Sequence, residues 1–167
     1  MAALKETAAK GIPQNSRATD GHPIALLSIA RLNLEVPVFV GTDQRTLNHG
    51  AGVIDGTALP GHDGNTAISA HRDSFFRPLK DIEIGDVIEL RASSGLQRFQ
   101  VSEVFITDPL DVSVLDPADG QMLTLITCYP FYYVGFAPDR FIVRARPQLA
   151  TAEEDGGRMI EPTRRLK

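Results

Sequence analysis

From Pro23 to Pro147 the chain is a succession of short runs rich in β-branched and aromatic residues, each broken within a few positions by Gly, Pro, Asn or Asp. No long stripe of helical period interrupts them. The runs predict strands over Ile24 to Ile29, Leu34 to Phe39, Thr66 to Ala70, Asp86 to Arg91, Gln97 to Ile106, Met122 to Thr127 and Arg140 to Arg146. Around Ser93-Ser94-Gly95 two of them read as a hairpin, with Val87, Glu89 and Arg91 alternating against Ile88 and Leu90. Short helices are predicted over Thr46 to His49, Phe75 to Lys80 and near Val114 to Asp116. Pro37 lies inside one run and marks an edge or a bulge, because proline cannot donate to a central ladder, and Pro130 closes another run for the same reason. Many short strands of similar spacing predict an all-β fold, a closed barrel or a sandwich.

Length and composition fit one domain with a core of its own: the chain has 167 residues, 43% of them hydrophobic. That domain is expected over 23–147. Residues 1–22 lack periodicity and read as a linker, and 148–167 read as a polar, flexible tail closing on Arg164-Arg165-Leu166-Lys167. Net charge is −4, and no stripe of Lys and Arg is interleaved with aromatics, which argues against nucleic acid as a partner. There is no basic amphipathic helix to attract a membrane surface, no run near the ~20 apolar residues that span a bilayer, and no secretory signal at the N-terminus.

Cys128 is the one cysteine, at the end of Met122-Leu123-Thr124-Leu125-Ile126-Thr127 and just before Tyr129-Pro130-Phe131. An internal disulfide and a two-cysteine metal site are both excluded. A buried inert thiol, an intermolecular bridge or a nucleophile remain, and burial is the commonest fate of a free cysteine. A nucleophile needs a base, because the thiolate is the reactive form.

Of the four histidines, His22 lies in the linker-like start, while His49 and His62 sit in turn-like sequence. His71 differs: it closes Thr66-Ala67-Ile68-Ser69-Ala70 at a strand exit, as Cys128 does. Taken alone it reads as a core-edge histidine satisfied by the backbone. Arg140 opens a strand, and its fixed, permanently charged fork of donors suits a substrate carbonyl or an oxyanion. A rim salt bridge with Asp139 or Asp73 is the more ordinary use. Arg144 and Arg146 alternate with Val143 and Ala145 as a solvated face.

Asp108, Asp111, Asp116 and Asp119 crowd one loop-rich stretch, but their spacing matches no EF-hand loop, and Asp beside Pro is a common turn former. No His-x-x-x-His pair supports zinc. No cofactor or metal is therefore predicted, and calcium dependence is left without support.

Three strand-end segments together resemble the sortases, the cysteine transpeptidases of bacterial cell envelopes. Thr124-Leu125-Ile126-Thr127-Cys128 is similar to their Thr-Leu-x-Thr-Cys signature, Gly64 to Asp73 to their histidine segment, and Asp139-Arg140-Phe141-Ile142-Val143 to their arginine strand. The resemblance runs from about Ile24 to Pro147. Cys128-Tyr129-Pro130-Phe131, with Gly135 and Pro138 ahead of Arg140, resembles class D most. One departure stands out: class D members carry Ala-Gly before the histidine, and this chain has Ser69-Ala70. Both residues are small, so room beside the imidazole is kept, but the backbone is expected to differ if the family uses the positive φ that only glycine takes freely.

The resemblance implies a closed β-barrel of about eight strands with short helices. It implies cleavage of an LPxTG-like sorting signal through a thioacyl-enzyme and transfer to an amine, such as that of a peptidoglycan precursor or a pilin lysine. Cys128 is the implied nucleophile, His71 the acid and base, and Arg140 the oxyanion or substrate-backbone partner. Thr127 and Tyr129 are the implied substrate-binding residues, the Thr127 hydroxyl orienting either the substrate or Arg140. The loop from Thr107 to Gly120 is long enough to wall a cleft. The implied location is the extracytoplasmic face of the bacterial cytoplasmic membrane, with a membrane anchor outside this sequence. Two other classes are weighed: a non-catalytic β-barrel binding or pilus-assembly module, and an L,D-transpeptidase-type cell-wall enzyme, whose Ser-x-Gly-Cys-like environment Thr127-Cys128-Tyr129 does not match.

Overall fold

A computed structural model describes residues 21–131 and 136–148. The expected linker over 1–22 and tail over 148–167 therefore lie almost wholly outside the described residues, as does Gly135. The strands are β1 (Ala25–Ile29), β2 (Leu34–Val40), β3 (Ala51–Val53), β4 (Gly64–Ser69), β5 (Val87–Ala92), β6 (Gly95–Thr107), β7 (Gln121–Tyr129) and β8 (Asp139–Pro147). A single α-helix among the described residues, α1 (Gln44–His49), precedes β3, and 3-10 turns occupy Ala30–Leu32, Arg77–Asp81 and Val112–Leu115. Hydrogen bonding runs β1-β2-β3-β4-β7-β8-β6-β5 and returns to β1, which closes the barrel. The all-β, eight-strand reading is thus the observed fold. No helix among the described residues is long and apolar enough to cross a membrane.

Side-chain alternation along each strand fills the barrel. Leu27, Val36, Val38, Ile68, Ile88, Leu90, Leu123, Leu125 and Val143 are buried in one cluster drawn from nearly every strand, as expected when every second residue faces inward. Phe76 and Leu79, from the segment after β4, join that interior cluster. A smaller cluster of Ala67, Val114, Ile126 and Ile142 takes the opposite positions of β4, β7 and β8, so it lies outside the barrel under the 3-10 turn Val112–Leu115.

All seven expected strands are present, with ends shifted by at most two residues, and the β5–β6 hairpin turns through Ser93-Ser94 between the partners Ala92 and Gly95. β2 pairs with β1 from Leu34 to Val38 but with β3 only from Val38 onward, so Pro37 has no ladder partner on the β3 side. That is the edge position its missing N–H requires. β3 has no expected counterpart: Ala51-Gly52-Val53 is too short to show a period, and Gly reads as turn. Its glycine is required by close approach, since a Cβ on Gly52 would collide with the carbonyl of Gly41.

In β6 the register slips between Val101 and Glu103. Val101 points inward opposite Ala145, whereas beyond the slip Val104 packs inward and Phe105 packs on the outer cluster. This bulge reverses the phase of the strand's second half, and it sets which β6 side chains share a face with β7 and β8.

Candidate active site

Four neighbouring strands, β4, β7, β8 and β6, present one outer face on which residues align in rows. Ala67, Thr124, Arg144 and Glu103 form one row, and Ser69, Ile126, Ile142 and Phe105 the next. In the following row Cys128 pairs with Arg140, and Arg140 with Thr107. Opposed residues of an antiparallel pair stand about 5 Å apart at Cα, so Cys128 and Arg140 are neighbours although twelve positions separate their numbers.

β4 ends at Ser69 opposite Ile126, but its pairing with β7 continues through Ala70, whose N–H donates to the Ile126 carbonyl at 3.3 Å. One further step of that parallel register brings His71 level with Cys128. Alternation puts His71 on the same outer side as Asn65, Ala67 and Ser69, because Ile68 and Ala70 belong to the interior cluster. The chain then turns, with the His71 carbonyl accepting from the N–H of Phe76 at 3.1 Å. Phe76, fully buried, thereby ties the histidine's backbone to the core.

Thr127 holds the exit of β4 in place. Its hydroxyl donates to the Ala70 carbonyl at 2.7 Å, and the residue is only 2% exposed. The hydroxyl therefore meets the carbonyl of the residue that precedes the histidine. Tyr129 is half-buried, stacked on Phe141 and edge-on to Phe131. The Tyr129–Pro130 peptide is cis. The family departure at Ala70 carries no strain, because Asn33 is the one non-glycine residue with positive φ among the described residues.

Arg140 is half-buried and donates from its guanidinium to the Asp139 carbonyl at 3.0 Å. The rim salt bridge weighed for it has no carboxylate partner among the described residues. Cys128 is free and half-buried. Row, register and partial exposure therefore bring His71, Cys128 and Arg140 to one end of one outer face.

The other candidates disperse. His22, His49 and His62 are exposed, and His49 bonds its own helix through the Arg45 carbonyl. Asp108 accepts from the Leu110 N–H, and Asp111 accepts from Ser113 and Thr107 as the cap of the 3-10 turn. The Ser113 hydroxyl first, and then that of Thr107, hold the Asp111 carboxyl below the usual carboxylate range. Among the described residues no three His, Cys, Asp or Glu side chains come together as a metal site. Arg144 departs from the expected solvated face: it lies over the Phe105 ring at 5.6 Å, with its Nε buried and unpartnered. The β6 bulge, unseen in the sequence, is what brings Phe105 beside it.

Sequence reasoning also missed Asn65 and Thr124. Both are buried, and the Thr124 hydroxyl donates to Asn65 Oδ1 at 2.7 Å. Gly64-Asn65 reads as turn, and its partners lie about fifty positions away, so no local signal could have found them.

The family model for the sortase domain matches residues 27–148. Over 124 residues, 74% of this chain, the sequence is 36% identical to Sortase D of Bacillus subtilis strain 168. It spans 63% of that relative's length, under two thirds. A Clostridium perfringens Sortase D5 transpeptidase superposes with a TM-score of 0.72 at 26% identity, over 87% of this chain and 89% of that one. Sortase C1 from Streptococcus suis gives 0.79 at 28% identity, over 90% and 87%. Together with the class D features of Cys128 to Phe131, these matches settle the family: the chain belongs to the sortases.

Proposed function

We propose that this domain is a cysteine transpeptidase that cleaves an LPxTG-like sorting signal and transfers the acyl group of the amino-terminal fragment to an amine. The observation that carries the reading is the alignment of Cys128 with Arg140 in the β7–β8 register, with His71 one step beyond the last β4–β7 bond.

The chemistry follows from the residue types. Cys128 Sγ, as thiolate, attacks the scissile carbonyl carbon, and the resulting oxyanion is stabilised by the Arg140 guanidinium. His71 protonates the departing amine as the C–N bond breaks, which leaves a thioester on Cys128. An incoming amine gives its proton to His71 and attacks the thioester carbon. The new amide forms and the thiolate is released. Thr127 serves by fixing Ala70, and so His71, while Tyr129, stacked on Phe141 at the opposite side of β7, backs the strand end that carries Cys128. Residues 108–119, packed through Val114 and Leu115 on Ile126 and Ile142, form the wall beside the row of Cys128 and Arg140.

The substrates are proteins with a C-terminal sorting signal. The acceptor is an amine such as that of a peptidoglycan precursor or a pilin lysine, at the extracytoplasmic face of the bacterial membrane where an anchor holds the domain. Incubation with a library of sorting peptides and varied amines, read by mass spectrometry, tests this. Peptides ligated to one class of amine are expected. Neither cleavage nor ligation of any peptide by the unmodified protein overturns the reading.

A further inference from the structure

Asn65 lies on the same outer face of β4 as His71, six residues earlier, and is 2% exposed. Its amide is used almost completely. Nδ2 donates to the Val114 carbonyl at 2.9 Å and to the Asp116 carbonyl at 3.0 Å, while Oδ1 accepts from the Thr124 hydroxyl at 2.7 Å. These partners also fix the amide's orientation, since the flipped form would set an oxygen against two carbonyl oxygens.

The two carbonyls sit at the C-terminal end of the 3-10 turn Val112–Leu115, where backbone acceptors lack partners within the turn. Thr124, itself fully buried, locks Asn65 from β7. The segment 108–119 is therefore held at both of its ends: Thr107 and Asp111 bond at the end level with Arg140, and Asn65 at the other. Between these points Leu110 and Val112 are exposed, at 86% and 70%.

We infer that Asn65, locked by Thr124, is a positioning residue that latches the wall segment 108–119 to the β4–β7 pair and thereby sets how tightly the sorting peptide is bound. The inference rests on the proposed function in one respect, that this segment lines the peptide's path. Asn65 touches neither the thiol nor the scissile bond. Its loss is therefore expected to weaken peptide binding and to spare the chemical step.

Asn65→Asp removes the donor at nearly constant volume, and Thr124→Val removes the hydroxyl that orients the amide. The second variant keeps the test usable if the first does not fold. Hydrogen exchange within 108–119 is expected to quicken at least about tenfold, with exchange across β4 and β7 unchanged. KM for a sorting peptide should rise about tenfold, the factor that ~1.4 kcal/mol of binding represents. The kcat should stay within about twofold, and Cys128 should be alkylated by iodoacetamide at the unmodified rate.

Exchange in 108–119 that does not change in either variant overturns the latch, whether or not the protein turns over a peptide. Faster exchange with an unchanged KM overturns its part in peptide binding. Faster exchange throughout β4 and β7, with kcat and alkylation falling together, overturns the positioning role in favour of general scaffolding. If no sorting peptide is turned over by the unmodified protein, the proposed function fails, while faster exchange confined to 108–119 still upholds the latch.

Discussion

The two faces of β7 differ in purpose although they alternate residue by residue. Leu123 and Leu125 look into the barrel and are fully buried among apolar neighbours from the other strands. Thr124, Ile126 and Cys128 look outward, as a buried hydroxyl, an apolar contact and a half-exposed thiol in turn. A two-residue period thus separates what holds the barrel together from what the proposed chemistry needs. Substitutions on the two faces should have separable consequences. Thr127 crosses the division: it takes an inward position, yet its hydroxyl secures the backbone next to His71.

The largest effect that would test this division is at Cys128. Cys128→Ala should lower peptide cleavage at least about 10³-fold and leave thermal unfolding within about 2 °C of the parent, because among the described residues the thiol is free and holds no neighbour by a hydrogen bond. A large loss of stability in circular dichroism melts would show that the outer face is structural after all. Leu125→Ala is the mirror case. It empties a fully buried position and should cost about 3 kcal/mol in urea unfolding, with cleavage per folded molecule preserved.

A pair remote from both faces sharpens the contrast. Arg31 Nε and Nη2 donate to the Asp86 carboxylate at 2.6 and 2.8 Å, and Asp86 also accepts from the Glu83 N–H. The Arg31 bonds hold the Asp86 carboxyl below its usual range. The unfolded chain therefore takes up this proton first, near pH ~4. The pair's contribution is whole above that pH and is lost as pH falls through the depressed folded value. Asp86→Asn should cost about 2 kcal/mol at neutral pH and flatten the acid limb of stability, with cleavage unaffected. An acid limb that persists unchanged would assign it to other carboxylates.

The smallest effect expected is at Thr127. Thr127→Val keeps the shape but leaves the buried Ala70 carbonyl without its hydroxyl donor, at a cost of about 1 kcal/mol. If that bond fixes His71, kcat should drop about tenfold with little change in KM. A rise in KM at constant kcat would instead return Thr127 to the substrate-contact role that the sequence suggested.

The strands were legible because they depend on local signals, whereas Cys128, His71 and Arg140 were singled out by their strand-end positions only together with the family resemblance. Runs such as Met122 to Thr127 mark a strand, and the thiol, the imidazole and the guanidinium each lie at the end of such a run. Features that depend on partners distant in sequence were not legible. Ala51–Val53 is too short to carry a period and is a strand only because β2 and β4 flank it. The bulge that turns Phe105 outward leaves no mark in Gln100 to Val104, and it is the reason Arg144 lies half-buried over a ring instead of in solvent. Asn65 reads as a turn residue until the carbonyls of Val114 and Asp116 close on it. The alanine before His71 looked like a departure with backbone consequences, but its φ is one any residue adopts.

The central claim, that Cys128 carries the acyl group, is tested most directly by mass spectrometry of the protein during a single turnover of a sorting peptide with no amine present. A thioester adduct of the peptide's amino-terminal fragment, confined to the proteolytic segment containing Cys128 and absent from Cys128→Ala, is the predicted result. Cleavage retained in full by Cys128→Ala, or an adduct on any other residue, would contradict it.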